Sequence, residues 1–293
     1  MNFDYVLLGD RQTVNVNMLN GIIKIIRPLN CIITFAVIIF SGLICAGDRI
    51  LSFNLFLAGV VGFISAAAGN IVNDIYDIEI DRINRPERPL PKLLLTIKQA
   101  WIFYIFLFAA SLVICYLIIP HVAIFVLLSN ILLLLYSLSL KRLPLIGNIF
   151  VSFLTGFAFI FGGLVVWNVR TAVIPALFAF LINFIRELIK DMEDKQGDKL
   201  ADAKTFPILF GDKVSKFLVL AVSFVLFSFT FVPFVFQLYA IEFFLVMMVF
   251  VNPILFYSIK LLYQNSSKQN LTRISALLKV NMVLGLIAIY LGT

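Results

Sequence analysis

The chain reads as long apolar runs broken by short polar stretches. Runs of about 18 or more apolar residues are long enough to cross a hydrocarbon core as helices. Nine such runs occur, near residues 28–46, 52–76, 99–119, 121–139, 147–167, 171–190, 214–236, 241–263 and 271–291. The apolar–polar alternation of a membrane barrel is absent. Lipid forces each backbone group to find its partner within the segment. The pattern therefore predicts an all-α fold, a polytopic membrane bundle of nine transmembrane helices, with cytoplasmic loops capping the active site. Only "IPH", Ile119 to His121, separates the third and fourth runs, and Pro120 suits a tight turn there.

The opening residues are polar and mixed, and do not read as a signal peptide. "NGIIKIIRPLN", Asn20 to Asn30, predicts a short amphipathic surface helix leading into the first span. No linker or low-complexity tract follows. The expectation is one membrane domain over 1–293, with 1–27 as its cytoplasmic N-terminal segment.

Composition supports this reading. The chain is 62% hydrophobic and 13% charged, with a mean hydropathy of +1.05. The net charge of +7 has a topological explanation. The first, third, fifth and seventh loops hold only Arg49 and Arg170 of the 23 Lys and Arg; the rest lie towards the side of the N-terminus. The positive-inside bias then predicts an integral, multi-pass protein of the cell membrane, with its N-terminus and active site cytoplasmic and its C-terminus outside. Nothing in the charge calls for nucleic acid. Cys31, Cys45 and Cys115 lie in or beside spans and fit neither a zinc site nor a disulfide framework. His121 is the only histidine, which argues against a histidine-based metal site or a Ser-His-Asp triad. Asn265 and Asn270 match the glycosylation pattern, but on the cytoplasmic side.

The acids are concentrated. Of 16 Asp and Glu, twelve fall in two stretches, Asp74 to Glu87 and Glu187 to Asp212. Each leaves the membrane on the cytoplasmic side, after the second and sixth spans. Asp74, Asp77 and Asp81 stand at i, i+3, i+7, and so do Asp191, Asp194 and Asp198. That spacing puts each trio on one helix face. Solvated helix ends with local ion pairs are the ordinary explanation. Like charges on one face repel without a counterion, however, and acids at membrane depth generally carry function. Oxygen donors without His or Cys suit Mg²⁺, which bridges one or two carboxylates to substrate phosphates. Arg82, Arg85, Arg88, Lys141, Arg142, Arg186, Lys190, Lys195 and Lys199 lie on the same side and suit phosphate oxygens. No Gly-rich phosphate loop is present. The implied ligand is a lipid phosphate or diphosphate, its head on the metal and its tail between the helices.

"NDIYDIEID" with "RPERP", and "KDMEDKQGD" with "KTFP", resemble the two signatures of the UbiA superfamily of intramembrane prenyltransferases. "YSLSLKR", Tyr136 to Arg142, resembles its fourth-to-fifth connection. "IRPLNCIIT" and "RELIKDMEDKQGD" are similar to the branch of digeranylgeranylglyceryl phosphate synthases; the chain departs from it at Ala203 and Phe206. The resemblance implies transfer of a geranylgeranyl group from its diphosphate to the free hydroxyl of geranylgeranylglyceryl phosphate, forming the second ether bond of archaeal-type membrane lipids. It implies two Mg²⁺ held by Asp74, Asp77, Asp81, Asp191, Asp194 and Asp198 as the catalytic set. Asn30, Asn70, Asn73, Arg85, Arg88, Tyr136, Lys141, Arg142, Arg186 and Lys190 are the substrate-binding expectations, with Lys141, Arg142 or Lys190 for the acceptor phosphate. Tyr76 is the other aromatic near the motifs. Of the 31 Phe, most serve packing and a few line the tunnel. Two alternatives stay open: an aromatic acceptor such as homogentisate, 4-hydroxybenzoate or a chlorophyllide-like compound, and a lipid-phosphate or cation-coupled transporter.

Overall fold

Nine helices among the described residues are long and apolar enough to cross a membrane. They are Pro28–Ala46, Phe53–Tyr76, Ile97–Leu117, Pro120–Leu138, Ile146–Val165, Val169–Leu200, Phe206–Val235, Ile241–Gln264 and Lys268–Gly292, called here the first to ninth spans. The structure is a computed structural model that describes residues 18–47, 50–200 and 203–293, apart from the side chains of Ile118 and Arg142. Residues 18–26 form a further helix ahead of the first span.

Local chemistry sets the ends of these helices. Ser52 caps the second span by accepting from the Leu55 amide at 3.2 Å. Thr96 and Gln99 form a reciprocal capping box at the start of the third. Pro120–Val122 makes a single tight turn, so the third and fourth spans are antiparallel neighbours.

Two boundaries differ from the pattern of apolar residues. The sixth helix does not stop near 190 but continues to Leu200, straight through the second acidic stretch. Helical hydrogen bonds need no lipid, so the backbone stays regular where the side chains turn polar. The seventh begins at Phe206 rather than 214, and breaks at Gly211 (φ 79, ψ 169). Only glycine takes that geometry freely, which separates a short turn, 206–210, from the membrane portion.

Three of the apolar clusters among the described residues join most of the bundle. Leu188, Ile189, Phe243, Leu255, Leu262 and Leu278 join the sixth, eighth and ninth spans. Ile38, Leu55, Val61, Cys115 and Phe161 join the first, second, third and fifth. Ile25, Ile71, Val72, Leu90 and Leu95 anchor the N-terminal helix and the loop after the first acidic stretch beneath the site. Close crossings rest on small residues, as in other membrane bundles. A Cβ on Gly156 would lie 2.7 Å from the Ala176 carbonyl oxygen, and one on Gly162 would lie 2.6 Å from that of Ile38. Outward-facing Leu117, Phe217 and Phe224 are exposed, as lipid-facing residues are.

Candidate active site

The first acid trio lies at the end of the second span and on the short helix Ile78–Asn84 that follows it. Asp74 is buried and takes ion pairs from Arg27 and, at 3.3 Å, from Arg88. Arg88 also pairs with buried Asp81. Arg27 sits between the N-terminal helix and Pro28 with φ 52 and ψ 70. Proline disfavours helical geometry in the residue before it. The left-handed conformation costs roughly 1–2 kcal/mol. Asp77 accepts from Lys141 Nζ at 2.6 Å and from Asn73 Nδ2 at 3.0 Å. Lys141 also donates to Asn73 Oδ1 at 3.2 Å, which ties the fourth-to-fifth connection to the second span. Burial pushes the Asp81 carboxyl up to about 6, against the opposing pull of Arg88 and helped by the charges of Asp77 and Asp74.

The second trio lies on the C-terminal third of the sixth helix. Asp191 accepts from Asn148 Nδ2 at 2.8 Å. Asp194 pairs with Arg85 at 3.2 Å, and its backbone carbonyl accepts from Asn84 at the same distance. Glu187 is held by Arg186 at 2.8 Å and Lys190 at 2.9 Å. Asp198 is buried, yet its carboxylate makes no hydrogen bond or ion pair among the described residues. The carboxylates of Asp194 and Asp77 repel it, so like charge accumulates across the gap between the two trios.

Both trios open onto one cavity of about 830 Å³. Asp77, Asp81, Asp191, Asp194 and Asp198 line it, with Asn30, Asn70, Asn73, Arg85, Arg88, Tyr136, Lys141, Arg186 and Lys190. Towards the membrane interior the lining turns apolar, with Phe125, Phe157, Phe159, Phe161 and Phe178. Asp74 differs from the sequence expectation: it is not among the lining residues and stands behind the wall, occupied by Arg27 and Arg88. Tyr76 also lies away, edge-to-face against Trp101. Arg82 pairs with Glu79 on the surface, and Lys195 with Asp212. The Arg142 side chain lies outside the described residues.

A family model described as the UbiA prenyltransferase family matches residues 35–283. The chain belongs to the UbiA prenyltransferase family. It is 34% identical over 274 residues to digeranylgeranylglyceryl phosphate synthase of Methanosphaera stadtmanae, covering 94% of this chain and 99% of that one. The synthase of the same name from Methanothermobacter thermautotrophicus is 37% identical, with 94% and 96% covered. A solved digeranylgeranylglyceryl phosphate synthase structure superposes with a TM-score of 0.74 at 31% identity, over 94% of this chain and 98% of that one. The fold also matches a UbiA homologue from Archaeoglobus fulgidus bound to GPP and Mg²⁺, with a TM-score of 0.64 at 16% identity and 92% and 99% covered. As a UbiA protein the chain is an integral, multi-pass membrane enzyme, a prenyltransferase.

The residues of this UbiA chain suit a hard cation. The acid wall offers oxygen donors without imidazole, and Asp198 is a buried carboxylate with no hydrogen-bond or ion-pair partner among the described residues. Among the described residues no three carboxylates converge closely enough to hold an ion as they stand, and Lys141, Arg85 and Asn148 contact Asp77, Asp194 and Asp191. A cation and an anionic ligand arriving together would replace these contacts.

Reading the sequence residue by residue missed Arg27, Asn148 and Lys279. Asn148 carries no signal in its surroundings. Lys279 does: it is a charge set inside the last apolar run, beyond Arg273, and such residues mark function.

Proposed function

We propose that the protein catalyses Mg²⁺-dependent transfer of a geranylgeranyl group from geranylgeranyl diphosphate to the free hydroxyl of geranylgeranylglyceryl phosphate. The single observation that carries this is the cavity itself: two facing carboxylate sets at its mouth and a phenylalanine-lined interior behind them. The relatives named for this synthase support the acceptor.

In this reading Asp77, Asp81, Asp191, Asp194 and Asp198 hold two Mg²⁺. Bound magnesium supplies charge neutralisation for the diphosphate as it leaves. Arg85 and Arg88 donate to diphosphate oxygens, and Lys141 exchanges its Asp77 contact for a phosphate one. Asp74 acts through the arginines: it fixes Arg27 and Arg88 so that their charge faces the mouth. Asn30, Asn70 and Asn73 orient the polar head; in the structure Asn70 donates to the Ile26 carbonyl at 2.8 Å and Asn73 to Asp77. Tyr136 stands among the acids and contacts substrate there.

The phenylalanine lining keeps water from the allylic carbon as its bond to oxygen breaks. Ring faces stabilise the positive charge that develops. The acceptor oxygen forms the new C–O bond, and its proton leaves to a carboxylate or to the departing diphosphate. The site opens to the cytoplasm, with the N-terminus on that side and the C-terminus outside, in one domain spanning 1–293.

Diphosphate release from purified protein, given geranylgeranyl diphosphate with and without the glycerol ether phosphate, tests this. Release should require both acceptor and Mg²⁺ and match ether formation mole for mole. Transfer without metal, or no ether product with the acceptor present, contradicts it.

A further inference from the structure

The cavity mouth has a second pole that the acid trios do not explain. Lys279, on the ninth span, lines the cavity and makes no hydrogen bond or ion pair among the described residues. It lies close enough to Arg186, Lys190 and Arg27 to be repelled by each, with Glu187 opposing. Arg27 is committed to Asp74. Glu187 is therefore one carboxylate set among three further cations, Arg186, Lys190 and Lys279. Part of their hydrogen-bonding capacity is idle: Arg186 Nε is buried without a partner among the described residues. Two residues beyond Lys279, Asn281 also lines the cavity, is 2% exposed, and has both side-chain amide atoms unpartnered among the described residues. An unsatisfied buried amide costs stability, and a buried excess of cations costs more. A bound anion carrying further polar atoms would relieve both.

We infer that Arg186, Lys190 and Lys279 form an anion subsite for the acceptor's phosphate monoester, separate from the acid-lined site for the donor diphosphate, and that Asn281 bonds the polar atoms next to that phosphate. This rests on the transfer proposed above. It differs from the sequence expectation, which placed the acceptor phosphate on Lys141, Arg142 or Lys190. Lys141 is held at the other pole by Asp77 and Asn73. The two poles adjoin: Lys190 acts electrostatically on Asp191 and Asp198 as well as on Lys279. Transfer needs that adjacency, because the acceptor hydroxyl must reach the donor's first carbon.

The test compares the acceptor with its dephosphorylated alcohol in wild type and variants. Wild type should favour the phosphate by about tenfold to a hundredfold in kcat/KM, the range expected for charge-assisted contacts. Lys279→Gln should raise the acceptor KM and erase most of that preference, while the donor KM stays nearly constant; Lys279→Arg should retain most of it. Asn281→Leu should raise thermal stability, since it removes a buried unpaired amide, and still raise the acceptor KM. This second variant keeps the test open should Lys279→Gln fold poorly. Undiminished preference in Lys279→Gln and an unchanged acceptor KM in Asn281→Leu would overturn the subsite and leave the proposed reaction standing. An equal rise in donor and acceptor KM would overturn it too, assigning these cations to the diphosphate. If wild type prenylates no glycerol ether phosphate, the proposed reaction itself fails, and the subsite with it.

Discussion

Arg85 reaches from the loop after the first acid trio to Asp194 in the second, with Nη2 3.2 Å from the nearer carboxylate oxygen. It is also 3.7 Å from Glu193. One side chain thus joins the two halves of the site across 109 residues of sequence. Arg85→Gln should lower kcat/KM for the donor by about tenfold or more, the loss expected for a charge-assisted contact. Steady-state kinetics at saturating acceptor would show it. An unchanged value would mean that the link is incidental to turnover.

Asp74 and Asp198 should respond in opposite directions to the same change. Asp74 is buried against two arginines. Removing one partner of such a group typically costs about 3–5 kcal/mol, so Asp74→Asn should melt well below wild type in detergent. Asp198 is buried near the carboxylates of Asp194 and Asp77 and makes no hydrogen bond or ion pair among the described residues. Asp198→Asn should melt at or above the wild-type temperature in chelator. Its transfer rate should nevertheless fall about 10²-fold or more, as loss of a group holding the catalytic charge implies. Thermal unfolding and turnover on the same preparations decide both.

Metal dependence follows from the donor set. Chelation should abolish transfer, and Mg²⁺ or Mn²⁺ should restore it. Zinc should restore it incompletely, because the wall offers only oxygen. Full activity after rigorous chelation would remove the acids from the reaction.

The crossing of the fifth and sixth spans carries the second trio. Gly156→Val would press a side chain on the Ala176 carbonyl, 2.7 Å from where its Cβ must sit. Overpacking of this kind costs typically 1–3 kcal/mol, and a reduced melting temperature is the expected result. An unaltered melt would show that the crossing has slack.

Much of this was legible in the residues. Apolar run length alone marked nine spans, because lipid constrains backbone and composition together. The i, i+3, i+7 spacing marked both trios because a helix aligns such positions. Two kinds of feature were not legible. Helix ends at polar segments escaped, since the sixth helix carries on to Leu200 after its apolar residues stop. Partner choice escaped as well: nothing local to Asp74 says that Arg27, 47 residues earlier, fills it rather than a ligand. Lys279 was visible as a charge inside an apolar run, but its neighbours Arg186 and Lys190 come from another span, and only the fold joins them.

The most direct measurement is a competition. Purified protein receives geranylgeranyl diphosphate, Mg²⁺ and equal concentrations of geranylgeranylglyceryl phosphate, homogentisate and 4-hydroxybenzoate, and mass spectrometry reads the products. The account predicts that the digeranylgeranyl ether of glycerol phosphate dominates. Preferred prenylation of either aromatic acceptor would contradict it.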